Sequence, residues 1–151
     1  MTLLLRLRGF FRSREAIAVA TRVLIADDEP LVRADIRHTL VDAGLEVCGE
    51  AADGHAAVTL ARDLEPDLVV VDAGMPGLDG LAACRRILET RRVPIVMLTG
   101  YSYGDVIASA LDAGVSAYVV KPFSTSSLLE AVAAVLRGRQ TPGTLAYLRR
   151  S

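Results

Sequence analysis

Five short apolar runs recur along the chain, beginning near Val23, Val47, Leu68, Pro94 and Ala117, roughly two dozen residues apart. Three of them, Val23-Leu24-Ile25-Ala26, Leu68-Val69-Val70-Val71 and Pro94-Ile95-Val96-Met97-Leu98, are almost wholly apolar. Strands covered on both faces read this way. Each gap between runs holds one helix and two short loops. Strand and helix patterns in alternation predict βαβ units and an α/β fold around a parallel sheet.

The gaps carry helical signals. Pro30 sits just inside the first helix, behind Asp28 and Glu29, which suit the positive end of a helix. Val32, Ile36 and Leu40 then repeat every fourth position, and Gly44 can end the helix. The second helix is expected from about Gly54 to Leu64, before Pro66. The third covers about Gly80 to Thr90, and the fourth about Gly104 to Ala113, ending at Gly114. The fifth follows the serine-rich stretch Ser124–Ser127 and places Leu128, Leu129, Val132, Val135 and Leu136 on one face. The pattern stops after Gly138, and Thr141-Pro142-Gly143 reads as a turn or linker.

The polar residues at the ends of the runs carry the chemistry. The first run leads into Asp27-Asp28, the third into Asp72, the fourth into Thr99 and the fifth into Lys121. Ligands of open parallel sheets bind at the carboxyl ends of the strands, at a topological switch point. In a doubly wound five-stranded sheet of order 2-1-3-4-5, strands 1 and 3 flank that point, so Asp27, Asp28 and Asp72 become neighbours. Clustered carboxylates repel one another, and hard oxygen ligands with room for water suit Mg²⁺. A metal held there polarises phosphoryl oxygens, Asp is a covalent nucleophile for phosphoryl groups, Lys121 would neutralise phosphoryl charge and Thr99 would donate a hydrogen bond. Each residue also has a plainer reading. Asp27 and Asp28 start a helix, Asp72 caps a turn before Gly74-Met75-Pro76-Gly77, Lys121 lies on the surface and Thr99 ends a strand. Coincidence at four strand ends favours the site. His38 and His55 fall on helical segments as ordinary surface or cap residues.

Composition narrows the function classes. A chain of 151 residues with 52% hydrophobic and 23% charged residues is globular and suits one domain. Charge is uneven. Residues 1–22 carry five Arg against one Glu, residues 137–151 carry four Arg and no acid, and residues 23–136 sum to −9. That acidic body is a poor nucleic-acid surface. Cys48 and Cys84 lack a C-x-x-C spacing and are expected to be reduced, buried, small hydrophobes of a cytoplasmic protein. No segment approaches the ~18 apolar residues of a membrane span. Arginines interrupt Leu3-Leu4-Leu5, so residues 1–21 are expected to be a basic extension, poorly ordered or amphipathic and helical, rather than a signal peptide. Residues 139–151 are expected to form a basic tail.

Residues 22–138 resemble the chemotaxis-Y-like receiver domain of bacterial two-component response regulators. The resemblance is carried, in order, by Val23-Leu24-Ile25-Ala26-Asp27-Asp28-Glu29-Pro30, Val71-Asp72-Ala73-Gly74-Met75-Pro76-Gly77-Leu78-Asp79-Gly80, Val96-Met97-Leu98-Thr99-Gly100 and Ala117-Tyr118-Val119-Val120-Lys121-Pro122-Phe123. Ile-Ala-Asp-Asp-Glu-Pro and Val-Lys-Pro-Phe-Ser also look like receivers attached to ANTAR RNA-binding output domains. The resemblance implies a flavodoxin-like receiver fold with Asp72 as phosphoacceptor. It implies Mg²⁺ bound directly by Asp28 and Asp72, partly through water by Asp27, and by the backbone carbonyl of Gly74. It implies a switch pair, Thr99 and Tyr118, a cis bond between Lys121 and Pro122, and Gly100 as the small residue that admits the phosphoryl group. The phosphoryl donor would be a sensor histidine kinase or phosphotransfer protein. Output would leave through the fourth helix, fifth strand and fifth helix, to an unnamed target or a phosphorylation-dependent homodimer, with no direct nucleic-acid binding. On this reading the chain is no enzyme beyond its own phosphoryl transfer and dephosphorylation.

Departures bear on that expectation. Gly74 has no side chain where many family members carry a larger one. Residues 138–151 hold no output module, so a stand-alone receiver or a truncated regulator is expected, the alternative being a truncated regulator whose receiver no longer signals. Two other classes compete. A haloacid-dehalogenase-type phosphatase wants D-x-D after the first strand, where this chain has Asp27-Asp28-Glu29. A flavodoxin-like flavin carrier wants a Ser/Thr/Gly phosphate loop there, which the same acidic residues would repel.

Overall fold

The structure, a computed structural model, describes residues 20–100 and 104–138. The expectations for residues 1–21 and 139–151 therefore lie outside the described residues, apart from Ala20 and Thr21. Five strands, β1 (Arg22–Ala26), β2 (Glu46–Ala51), β3 (Leu68–Asp72), β4 (Ile95–Thr99) and β5 (Ala117–Val120), alternate with five helices. These are α1 (Pro30–Asp42), α2 (Gly54–Leu64), α3 (Gly80–Thr90), α4 (Gly104–Asp112) and α5 (Thr125–Gly138). All strand pairs are parallel, in the order β2-β1-β3-β4-β5. The chain thus winds outward in both directions from the gap between β1 and β3.

Local chemistry sets the boundaries. Pro30 occupies the first turn of α1. The Asp53 and Asp79 carboxylates accept the amides of Ala56 and Ala82 at the starts of α2 and α3, both at 2.8 Å. Ser124 does the same for Ser127 before α5, at 3.0 Å. Gly44 (φ 95°) and Gly114 (φ 100°) follow α1 and α4 in the left-handed region, where glycine carries no Cβ penalty. After α2 that conformation falls to Glu65 (φ 48°) instead.

Two apolar layers sandwich the sheet. On one face Val23, Ile25, Val70 and Leu98 pack with Ile36 and Leu40 of α1 and Leu128 and Val132 of α5. On the other, Leu24, Val71 and Met97 pack with Ala57 of α2, Cys84 and Ile87 of α3 and Ala110 of α4. β3 and β4 are buried at every position, as their unbroken apolar runs require. Cys84 is buried as expected, and burial pushes its thiol up to about 12. Cys48 departs from expectation. It is half-buried because β2 shifts register between its pairs Val23–Val47 and Leu24–Gly49, leaving Cys48 as the extra residue. Its thiol donates to the Val23 carbonyl at 3.4 Å. His38 and His55 are exposed.

Candidate functional site: an acidic pocket at the switch point

The β1–α1, β3–α3 and β5–α5 loops meet where the winding reverses. Asp27 follows the last residue of β1, and its amide donates to the Ala51 carbonyl of β2 at 3.0 Å. The carboxylate is fully buried. Oδ1 accepts the Glu29 amide at 2.9 Å and Oδ2 accepts the Lys121 ammonium at 3.0 Å. Asp28, next in the chain, is exposed at the pocket mouth. Asp72 closes β3 with 6% of its surface exposed. Its Oδ1 accepts the Gly74 amide at 3.3 Å and lies 3.4 Å from Lys121 Nζ. One carboxylate oxygen from each of Asp27, Asp28 and Asp72 falls within 4.8 Å of the others. No other group of three or more such ligands occurs among the described residues.

The titration of the pocket follows its geometry. Burial pushes the Asp72 carboxyl up and the Asp27 charge adds to the rise, against the Gly74 amide and the Lys121 ammonium. Burial alone would lower Lys121. Its hydrogen bond to Asp27 and the charges of Asp72 and Asp27 more than reverse that, so its pKa is raised and it remains an ammonium at neutral pH. One half-buried cation thus faces three carboxylates. This excess of hard anionic oxygen is the donor set a small dication takes, and it fits Mg²⁺.

Each residue anticipated from the strand ends arrives at this edge. Thr99 ends β4 with 1% exposure, and its carbonyl accepts the Lys121 amide at 2.7 Å. Tyr118 pairs with Met97, two residues before Thr99, so both side chains belong to one face of the sheet. Tyr118 is half-buried. Gly74 and Gly100 are exposed beside the pocket, and a Cβ at Gly100 would meet nothing within 4 Å. The Lys121–Pro122 bond is cis. Gly80 has a packing role that sequence reading missed. Any Cβ there would run into the backbone carbonyl of Asp72, and one at Gly54 into that of Leu78. The β3–α3 loop is therefore pressed against its own helix and against α2.

Arg33 was also missed. Its Nη1 donates to the Asp27 carbonyl at 2.8 Å and its Nε lies 3.3 Å from Glu50 Oε1. Arg37 holds the other Glu50 oxygen at 2.7 Å. The signal was an arginine one turn beyond Glu29, on a helix that starts at the pocket.

A model of the response regulator receiver domain matches residues 23–133. The chain belongs to the receiver-domain family of response regulators. This receiver is 50% identical over 115 residues to the transcriptional regulatory protein PdtaR of Mycobacterium tuberculosis, covering 76% of this chain and 56% of that one. It thus spans about half the length of that relative. It is 36% identical over 115 residues to the chemotaxis protein CheY of Bacillus subtilis, covering 76% of this chain and 96% of CheY. The signal receiver domain of NarL from Mycobacterium tuberculosis superposes with a TM-score of 0.75 at 27% identity, over 80% of this chain and 98% of that one. Membership of the receiver family sets aside the phosphatase and flavin-carrier readings. No helix among the described residues of this receiver is long and apolar enough to cross a membrane.

Proposed function

We propose that this receiver is a cytoplasmic, phosphorylation-controlled switch that accepts a phosphoryl group on Asp72. The observation that carries the reading is one buried carboxylate, Asp72, between an ammonium and two further carboxylates. Asp72 attacks the phosphorus of a phosphohistidine on a sensor kinase or phosphotransfer protein. The new bond is P–O, the broken bond is P–N, and the imidazole leaves and takes a proton. Bound Mg²⁺, held by Asp28, Asp72 and the Gly74 carbonyl, would offset charge between the anionic donor and Asp72. Both Asp27 oxygens already have partners, which suits a role through water. Lys121, 3.4 Å from Asp72, takes up phosphoryl charge, and Thr99 donates to a phosphoryl oxygen. The chain turns over no separate substrate.

The donor's docking face is argued from the pocket rim. A groove of about 430 Å³ runs between Glu29, Leu31, Val32, Lys121, Pro122 and Phe123. Leu31 is 86% exposed there, a large apolar side chain open to a partner. Output runs from Thr99 to Tyr118, on adjacent strands and one face, and on to α4, β5 and α5. That face then binds a target or a second copy. The acidic body argues against direct nucleic-acid binding.

Acetyl phosphate with Mg²⁺ should add one phosphoryl group by mass, and hydroxylamine should remove it. Asp72→Asn should stay unmodified. Labelling that survives hydroxylamine, or that persists in Asp72→Asn, overturns the assignment.

A further inference from the structure

The guanidinium of Arg33 ties the pocket to the neighbouring strand. Its Nη1 donates to the Asp27 carbonyl at 2.8 Å, and its Nε lies 3.3 Å from Glu50 Oε1. The second Glu50 oxygen accepts Arg37 Nε at 2.7 Å. Arg33 and Arg37 stand one turn apart on α1, and Glu50 is the last residue but one of β2. The Glu50 carboxylate is therefore anchored through one oxygen and aims the Arg33 fork with the other. The rest of Asp27 is held as well. Its amide donates to the Ala51 carbonyl, Oδ1 accepts the Glu29 amide and Oδ2 accepts the Lys121 ammonium. The exposed Asp28 carboxylate hangs from the backbone that these contacts fix.

The peptide group between Asp27 and Asp28 is planar and rigid. Holding its carbonyl oxygen fixes the direction in which the Asp28 Cα and side chain leave. Two effects of Arg33 on a dication oppose one another. Its charge, beside the pocket, repels the ion. Its hydrogen bond keeps Asp28 within reach of Asp27 and Asp72, whose ligand oxygens all lie within 4.8 Å of one another, and metal affinity depends on the groups that orient the ligands. Glu50 offsets the charge from 3.3 Å and leaves the hydrogen bond in place, so orientation prevails. An arginine suits this position because its fork makes both contacts at once, where a lysine offers a single compact charge.

We propose that Arg33, aimed by Glu50, is a positioning residue that sets the affinity of the pocket for Mg²⁺ by holding the Asp27–Asp28 peptide. This rests on the reading of the pocket as a Mg²⁺ site. The test is a double-mutant cycle in the full, unphosphorylated chain, with Mg²⁺ dissociation constants from titration calorimetry. Arg33→Met should raise the constant about tenfold, and Glu50→Ala should raise it too. The double variant should bind about as weakly as Arg33→Met alone, because both changes disable one device. Charge alone gives another pattern. Loss of Arg33 would then tighten binding, loss of Glu50 would weaken it, and the double variant would return to the wild-type value. That pattern, or an unchanged constant in Arg33→Met, overturns the proposal. A metal-free measurement separates positioning from a general loss of stability. In Arg33→Met without Mg²⁺, amide exchange should quicken more at Asp27 and Glu29 than at Val69, Val70 and Val71 of β3. Equal acceleration at both places, or none at Asp27 and Glu29, overturns the proposal. A wild-type chain whose titration shows no Mg²⁺ binding overturns the reading of the pocket itself, and the proposal falls with it.

Discussion

Replacing Lys121 by Met removes the ammonium and keeps an apolar stem of similar length. Asp27 Oδ2 then loses its donor at 3.0 Å and Asp72 Oδ1 loses a cation at 3.4 Å, while the Glu29 and Gly74 amides stay on the other contacts. Removing one partner of a buried ion pair costs about 3–5 kcal/mol. The pocket opens to water beside exposed Asp28, so the lower end applies, about 3 kcal/mol. For a domain of ~115 residues each kcal/mol moves the midpoint by about 4 °C, a fall of about 12 °C in metal-free buffer. Mg²⁺ supplies the missing positive charge. At ten times its Kd it stabilises the wild type by about 1.4 kcal/mol, and it should stabilise the variant by more, so the gap narrows as Mg²⁺ rises. Acid should narrow it too. The Asp72 carboxyl is raised by burial and by Asp27. A raised acid penalises the fold above its folded pKa, and the penalty is relieved as pH falls through that value. Without Lys121 the penalty and its relief both grow. Thermal melts over a Mg²⁺ series at neutral and mildly acidic pH measure this. A midpoint within about 2 °C of wild type without metal, or a gap indifferent to both Mg²⁺ and pH, refutes the electrostatic account.

Asp28→Ala should leave the metal-free midpoint nearly unchanged, because Asp28 is exposed, and should abolish the rise with Mg²⁺ seen in melts. Gly80→Ala drives a Cβ into the Asp72 carbonyl, so it should cost about 1–3 kcal/mol in denaturant titrations and slow labelling by acetyl phosphate. Thr99→Ala should still accept a phosphoryl group but lose the amide shifts that beryllofluoride otherwise causes at Tyr118 and α4. Persistence of those shifts would remove Thr99 from the relay.

The sheet was legible because buried parallel strands leave an unmistakable apolar trace. β3 and β4 are buried at every residue, and nothing polar interrupts their runs. The pocket was legible because strand order alone brings Asp27, Asp72, Thr99 and Lys121 to one edge. What stayed hidden depends on long-range geometry rather than on residue type. Nothing in Glu65 announces a left-handed helix end. The register shift that half-exposes Cys48 is a property of the β1–β2 pair. Arg33 matters because α1 swings its guanidinium back to the Asp27 carbonyl. Gly80 read as a helix start, whereas its constraint is the Asp72 carbonyl pressed against it.

Sixteen arginines and a single lysine make the cation of the pocket chemically unique in this chain. Apart from the α-amine of Met1, an acylating reagent aimed at primary amines meets one target, Lys121, with 18% of its side chain open. Acylation erases the charge that Asp27 and Asp72 share, so reagent uptake reports the state of the site without any engineered label. Metal or phosphoryl occupancy that alters access to Nζ would be read as a change in one rate constant at one residue. Enzymes that acetylate lysines would find the same lone address, which ties any such modification of an internal side chain directly to the phosphoacceptor.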